Sequence, residues 1–306
     1  MVVDTWLDKM FGNQQPELIA FIRVLRPQQW TKNVLLFVPV ILARQVDNVN
    51  KMKATILGFV AFSACASAVY VLNDVLDIVA DRQHPFKRDR PFASGTLPLR
   101  WSPVIFLVPL MLGFTVSAAF LNAAFTAVLA LYMLVAIAYA YWLKRQVLLD
   151  VYTLAGLYTL RIVGGGLVSD VIISDWLLVF SLFMFTSLAF AKRFAELARL
   201  SAEGRSSCMG RGYLTTDIGV IQTSGQASGC VAVLVLALYI HSPEVNQVYG
   251  HRWPLWAICP IILYWITRLW LQAMRHTLSE DPVVFAVKDR VSVVCGGAVA
   301  MLLWFA

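Results

Sequence analysis

The feature that most constrains this chain is a succession of long apolar runs separated by short polar breaks, at 33–47, 54–79, 102–120, 124–142, 147–168, 175–193, 219–240, 253–273 and 288–305. A helix that crosses the hydrocarbon core of a bilayer needs about 20 predominantly apolar residues, because its backbone polar groups must all be satisfied within the segment. The runs therefore read as nine transmembrane helices, and the expected fold class is an all-α integral membrane bundle. With 59% hydrophobic and only 14% charged residues among 306, the chain is far from a soluble domain, which is about one-quarter charged. A single membrane domain over 1–306 is expected, with 1–32 as an interfacial amino-terminal segment. In that segment Pro16 to Arg26 reads as a short amphipathic helix lying at the interface. No compact apolar stretch ending in a small-residue cleavage site precedes Lys32, so no signal peptide is expected.

A formal charge of +7 could suggest a nucleic-acid partner, but the cations lie between apolar runs and build no basic arm, so none is expected. They sort by loop instead. The breaks at 121–123, 169–174 and 241–252 contain a single Lys or Arg, Arg252, whereas 80–100, 143–146, 192–218 and 274–290 contain most of the rest. The positive-inside rule puts these four breaks and the amino terminus in the cytoplasm, with Arg44, Lys51 and Lys53 as the main exceptions on the outside. This predicts a multi-pass protein of the inner (cytoplasmic) membrane whose functional face is cytoplasmic. Cys65, Cys208, Cys230, Cys259 and Cys295 form no CxxC pair, and His84, His241, His251 and His276 lack metal-ligand spacing, so neither disulfides nor a soft-metal site is expected.

The most informative segment runs from Tyr70 to Pro85 and contains Asn73, Asp74, Asp77 and Asp81. On a helix Asp74, Asp77 and Asp81 fall at i, i+3 and i+7 and share a face, with Asn73 one turn before Asp77. Three like charges at the end of an apolar span repel one another unless cations neutralise them. One reading is a Mg²⁺ site, since hard oxygen ligands without His or Cys suit that ion, and Mg²⁺ held by one or two carboxylates usually shares a substrate phosphate. Lys87, Arg88 and Arg90 would then meet the remaining phosphate oxygens. The competing reading is a helix end whose carboxylates pair with Arg82, Lys87, Arg88 and Arg90.

A second basic cluster, Lys192, Arg193, Glu196, Arg199, Arg205 and Arg211, is expected in the loop after the sixth span. It reads equally as phosphate binding or as a positive-inside loop with a Lys192–Glu196 helical ion pair. Lys32 in the segment Arg26 to Asn33, Tyr139 with Lys144, and Lys288 to Arg290 are further candidates, each of which is also compatible with an ordinary interfacial belt. Asp150 and Arg161 lie inside an apolar run, where a charge is a functional candidate by default, although Asp150 is also placed to start a helix. Gly164 to Gly166 reads as close helix packing. A transporter would carry its ionisable site near the bilayer midplane between broken helices, whereas these charges gather at one face.

At these residues the chain resembles the UbiA superfamily of intramembrane prenyltransferases, whose first signature, NDxxDxxxD at the end of the second helix, corresponds to Asn73 to Asp81. Ordinary members carry a second aspartate-rich motif after helix six. Here Lys192 to Leu197 replaces most of those carboxylates with cations. In that respect, and in RPxQWxKN (Arg26 to Asn33), DRxHPxKRxRP (Asp81 to Pro91), KRxAEL (Lys192 to Leu197) and the segment Lys288 to Arg290, the chain is similar to the branch of decaprenyl-phosphate phosphoribosyltransferases. The resemblance implies a nine-helix UbiA-like bundle with a cytoplasmic active-site cavity and transfer of 5-phosphoribose from phosphoribosyl diphosphate to a polyprenyl phosphate in the membrane. It also implies Mg²⁺ on Asp74 and Asp77 with Asn73 and Asp81 assisting. Lys32, Lys87, Arg88, Arg90, Tyr139, Lys144, Arg161, Lys192, Arg193, Glu196 and Arg211 are the candidates for the substrate phosphates. The extra phosphate of this donor, about −1.5 to −2 in charge, is a reason for extra Lys and Arg. Attachment of a prenyl chain to an aromatic acceptor remains the alternative reaction.

Overall fold

A computed structural model describes residues 16–83, 87–204, 212–278 and 282–306, in which every regular element is helical. The elements are α1 (Pro16–Leu25), a 3-10 stretch (Pro27–Phe37), α2 (Val38–Leu42), α3 (Val49–Leu76), α4 (Ile78–Gln83), α5 (Pro91–Ser94), α6 (Ser102–Phe120) and α7 (Ala123–Tyr141). They continue with α8 (Leu149–Ser169), α9 (Asp175–Ala202), α10 (Ile218–His241), α11 (Val245–Val248), α12 (Trp253–Met274), α13 (Pro282–Lys288) and α14 (Arg290–Phe305). Among the described residues, seven helices are long and apolar enough to cross a membrane: Val49–Leu76, Leu99–Phe120, Ala123–Tyr141, Leu149–Ser169, Asp175–Ala202, Thr215–His241 and Trp253–Met274. The last expected span is the shorter α14, an apolar helix of 16 residues.

The first expected span, 33–47, is not one helix. Pro39 cannot donate to an α-helical ladder, and the chain instead runs as 11 residues of 3-10 helix and then the five-residue α2. Side chains at i and i+3 eclipse in a 3-10 helix, and burial follows that period: Gln28, Thr31 and Val34 are exposed while Asn33, Leu36 and Pro39 are buried. The inner row is tied to α3, through Trp30 Nε1 to Ser67 Oγ at 2.9 Å and Asn33 Nδ2 to Ser63 Oγ at 3.0 Å. The sixth span departs the other way. Its α-helix continues to Ala202, so Lys192, Arg193 and Glu196 are helical rather than in a loop. No Gly or Pro interrupts Asp175 to Ala202, and its many Ala and Leu residues favour continuation.

Helix α3 lies at the centre of one half, packed against α6, α7, α8 and the 3-10 stretch, while α9 lies between α8, α10 and α12. Two apolar clusters result, one around Phe62, Phe125 and Leu129, the other around Phe190, Phe194 and Trp270. At Gly165 a Cβ would fall 2.2 Å from the Leu36 carbonyl oxygen, so that glycine permits the close approach of α8 to the 3-10 stretch.

The aspartate segment, the 143–148 turn and the segment leading into α10 lie at one end of the bundle, joined by side-chain bonds described below. Arg44 and Lys51 are at the other end. Arg44 donates to the Leu303 carbonyl at 2.9 Å and Lys51 Nζ to the Asp170 carbonyl at 3.2 Å, so both cations sit on helix C-terminal carbonyls. The partial negative charge of a helix C-terminus accounts for basic residues in this otherwise cation-poor set of loops.

Candidate active site

Asp74 lies in the last turn of α3, Asp77 caps that helix, and Asp81 belongs to α4. Backbone bonds from Asp77 N to Asn73 O (2.9 Å) and Asp81 N to Asp77 O (2.8 Å) carry the helical spacing across the break between the two helices. The carboxylates nevertheless face different partners. Asp74, 2% exposed, accepts from Arg26 and from Arg90 Nη1 at 3.3 Å, and the same Arg90 nitrogen is 2.6 Å from Asp81 Oδ2. Asp77, 37% exposed, accepts from Lys144 Nζ at 2.6 Å. One arginine thus draws Asp74 and Asp81 together, and a lysine from between α7 and α8 holds Asp77.

Of the three aspartates expected to share a helix face, Asp74 and Asp81 meet on Arg90 and Asp77 turns to Lys144. Among the described residues no three His, Cys, Asp or Glu side chains converge to hold a metal ion. The donor set itself suits a hard divalent cation, being all oxygen, with Asn73 giving its amide N–H to Val69 O and keeping a carbonyl oxygen to offer. Protein cations supply the positive charge that the three carboxylates need. Arg90 was a candidate from sequence, both for phosphate and as a partner of the carboxylates, whereas Arg26 was placed only within a candidate segment; their convergence on Asp74 requires α1, α3 and the 87–90 turn to meet. Arg26 also lies over the Tyr70 ring, 5.5 Å from its centroid.

Deeper in the bundle, Arg161 is buried and donates to Asn33 Oδ1 (2.8 Å), Leu157 O (2.6 Å) and Tyr132 OH (3.0 Å). These partners are all neutral. Its guanidinium is 4.9 Å from the Tyr132 ring centroid, 5.3 Å from Tyr158 and 5.7 Å from Phe62, and Lys32 Nζ is 6.0 Å from the same Tyr158 ring. A buried arginine enclosed by aromatic faces and neutral acceptors makes this layer electropositive around Arg161. Asn33 had a signal in the sequence as the last fixed position of the Arg26 to Asn33 motif, whereas Tyr132 and Tyr158 had none.

Arg193 is placed differently from the expected phosphate contact. It is 0% exposed, with Nη2 2.7 Å from Asp150 Oδ2 and Nη1 bonded to Glu196. Tyr213 OH donates to Asp150 Oδ1 at 2.5 Å and accepts from Leu148 N–H at 2.8 Å. Burial, and then the hydrogen bond to Asp150, push the Tyr213 hydroxyl above the ordinary tyrosine value, so it remains a donor. The helical spacing that set Lys192 and Arg193 side by side in sequence turns Arg193 inward, and both of its ends are occupied by carboxylates.

Lys87 is half-buried, Arg88 is exposed, and Tyr139 and Lys192 are half-buried. Arg211 lies outside the described residues. In the segment Lys288 to Arg290, Asp289 caps α14 through Ser292 N at 2.8 Å and receives Arg268 Nη1 at 2.7 Å and Nη2 at 3.0 Å. Burial alone would raise this carboxyl, but the bonds from Arg268 and Ser292 outweigh it and hold Asp289 below the ordinary carboxylate range. Away from the aspartates, Leu35, Val38, Ile162, Phe180, Ile262 and Trp265 line part of an apolar cavity of about 260 Å³.

A model of the UbiA prenyltransferase family matches residues 34–293. The chain is 37% identical to the protein y4nM of Sinorhizobium fredii over 90% of its own length, spanning about half (54%) of that relative. It is 34% identical to nodulation protein NoeC of Azorhizobium caulinodans, covering 94% of this chain and 93% of that one. It is 35% identical to decaprenyl-phosphate phosphoribosyltransferase of Mycobacterium tuberculosis, covering 88% of each. In fold it is similar to a UbiA homolog from Archaeoglobus fulgidus solved with GPP and Mg²⁺, with a TM-score of 0.71, 14% identity, and 94% and 97% of the two chains covered.

Proposed function

The chain belongs to the UbiA prenyltransferase family, an integral membrane protein by that membership and its apolar helices, and we propose that it transfers 5-phosphoribose from phosphoribosyl diphosphate to a polyprenyl phosphate with release of diphosphate. The observation that carries this reading is the excess of cations around the aspartate segment. Arg26, Arg90 and Lys144 contact the three carboxylates directly, and Lys32 and Arg161 lie in the layer beneath. A donor with a 5-phosphate besides its diphosphate demands more positive charge than a prenyl diphosphate does. The similarity to a relative named as a decaprenyl-phosphate phosphoribosyltransferase supports the same choice.

On this reading Asp74 and Asp77, with Asn73 and Asp81, would hold Mg²⁺, whose positive charge would stabilise the departing diphosphate. Arg26, Arg90 and Lys144 would exchange their carboxylates for phosphate oxygens, and Lys87 and Arg88 would reach those nearer solvent. The C1–O bond to diphosphate breaks with its electron pair on the leaving group, and an oxygen of the lipid phosphate forms the new bond to C1. Positive charge developing at C1 is met by the fixed carboxylates and the anionic acceptor. The acceptor oxygen is already ionised near neutral pH, so no residue has to remove a proton. Lys32 and Arg161 would draw the acceptor phosphate inward, and the apolar cavity beside Ile162 would receive hydrocarbon. The aspartate end would face the cytoplasm of the inner membrane, where the donor is soluble.

A second reading, prenyl transfer from a prenyl diphosphate to an aromatic acceptor, is favoured by the fold shared with a homolog solved with GPP. Purified protein incubated with Mg²⁺, polyprenyl phosphate and phosphoribosyl diphosphate labelled in the ribose should release diphosphate and place the label in lipid. Turnover of geranyl diphosphate with no release from phosphoribosyl diphosphate would replace the first reading with the second.

A further inference from the structure

We infer that Tyr213, Asp150 and Arg193 form a buried clamp whose role is to position Lys144 against Asp77. The inference rests on the reading above only in taking that lysine to belong to the donor site. Lys144 is carried by the short turn between α7 and α8, a 3-10 turn at Leu143–Arg145 followed by Leu148 at φ 66° and ψ −42°. A side-chain-bearing residue rarely takes a positive φ, and it persists only where its surroundings over-determine it. Here the Leu148 N–H donates to Tyr213 OH at 2.8 Å, and that hydroxyl donates to Asp150 Oδ1 at 2.5 Å. The other carboxylate oxygen of Asp150 is 2.7 Å from Arg193 Nη2. The Arg193 guanidinium lies 5.7 Å from the Tyr213 ring centroid, and its far side is bonded to Glu196.

A second feature brings the same segment onto the turn. A Cβ on Gly212 would lie 2.9 Å from Val147 Cγ2 and 3.1 Å from the Arg145 carbonyl oxygen, so residues 212–213 are seated directly on 145–147. Lys144 leaves that turn at its start and reaches Asp77 at 2.6 Å. The clamp therefore connects the segment before α10, the start of α8 and the cytoplasmic half of α9 to one lysine, and through it to the aspartates. A wholly buried ion pair such as Asp150–Arg193 is a poor source of stability compared with apolar packing, because desolvation consumes most of the attraction. What it provides is direction: Tyr213 OH links the Leu148 N–H to Asp150 Oδ1 by two hydrogen bonds, while Arg193 faces Asp150 Oδ2 as a close charge without hydrogen-bond alignment, so the turn is held in one arrangement. Arg193 and Glu196, expected from sequence to touch phosphate, thereby act at one remove, as positioning residues.

The test is the reactivity of the Lys144 amine toward a small acylating reagent, followed by peptide mass spectrometry on the detergent-solubilised full chain. Tyr213→Phe keeps the ring and removes the hydroxyl; loss of its two hydrogen bonds should speed acylation of Lys144 about tenfold, with Lys53 at the opposite end unchanged. Gly212→Ala, which leaves the ion cluster intact, should speed Lys144 as well. Rates at Lys144 staying within about twofold of the parent in both variants would overturn the clamp. In the transfer assay, Tyr213→Phe should lower turnover about tenfold in the parent and by less than about twofold in a Lys144→Met background. Full additivity there would equally overturn it. Unimpaired transfer by Lys144→Met alone would instead refute the placement of Lys144 in the donor site, and the acylation rates would still report on the clamp.

Discussion

Asp77→Asn separates the chemistry of the site from the stability of the fold. Asp77 is 37% exposed and paired with a single lysine, so the folded state loses about 0–1 kcal/mol when the pair is removed, as for other solvent-reached ion pairs. Asp150→Asn is the reference: Asp150 is 0% exposed and bound to a fully buried arginine, and breaking such a pair costs about 3–5 kcal/mol. Activity should rank the other way for Asp77. Removing one group that stabilises developing charge typically lowers turnover about 10²–10³-fold, which is about 2.7–4 kcal/mol at 1.36 kcal/mol per decade. The assay pairs diphosphate release with the thermal midpoint of the same detergent-purified sample. Asp77→Asn is expected to melt close to the parent while turning over at least about a hundredfold more slowly. If Asp77→Asn keeps more than about a tenth of parental turnover, or is as destabilised as Asp150→Asn, the aspartate segment is an ion-paired helix end and not a catalytic site.

Adjacent glycines should behave oppositely. Gly165→Ala forces a Cβ to 2.2 Å from the Leu36 carbonyl and should destabilise by about 1–3 kcal/mol despite a better helix propensity, whereas Gly164→Ala meets only side chains at 3.5 Å and should be neutral or slightly stabilising by thermal midpoint; equal effects would contradict the close approach. Arg161→Met should raise KM for polyprenyl phosphate about tenfold and leave KM for phosphoribosyl diphosphate unchanged, and an equal rise in both would remove the assignment of this arginine to the acceptor. Asp289 has its pKa depressed in the folded state, so its stabilising contribution is present above the ordinary carboxylate value and lost as pH falls through the depressed one. The difference in thermal midpoint between the parent and Asp289→Asn should thus be full at neutral pH and shrink on acidification below about 3.9; a gap that is constant with pH would refute the sign.

The all-helical bundle was legible because hydrophobic length is a local property: about 20 apolar residues in a row need a bilayer whatever surrounds them. For the same reason Asp74, Asp77 and Asp81, with the neutral Asn73 beside them, stood out as a run of acidic groups closing an apolar span. The period-three burial of the 3-10 stretch was not legible from run length, although Pro39 was a signal against one continuous helix. Nor was the helical continuation through Lys192 to Ala202, where charge alone suggested a loop.

The sequence by itself determined that this chain lives in a membrane, that its spans are helical, and that its carboxylates gather where one span ends. Only the tertiary structure decided which cation answers which carboxylate: Arg90 joins Asp74 to Asp81, Lys144 takes Asp77, and Arg193 is withdrawn into a pair with Asp150. Helix formation is governed by neighbours a few residues apart, whereas an ion pair between residues 67 apart, such as Lys144 and Asp77, exists only once packing has fixed both backbones within reach of a hydrogen bond.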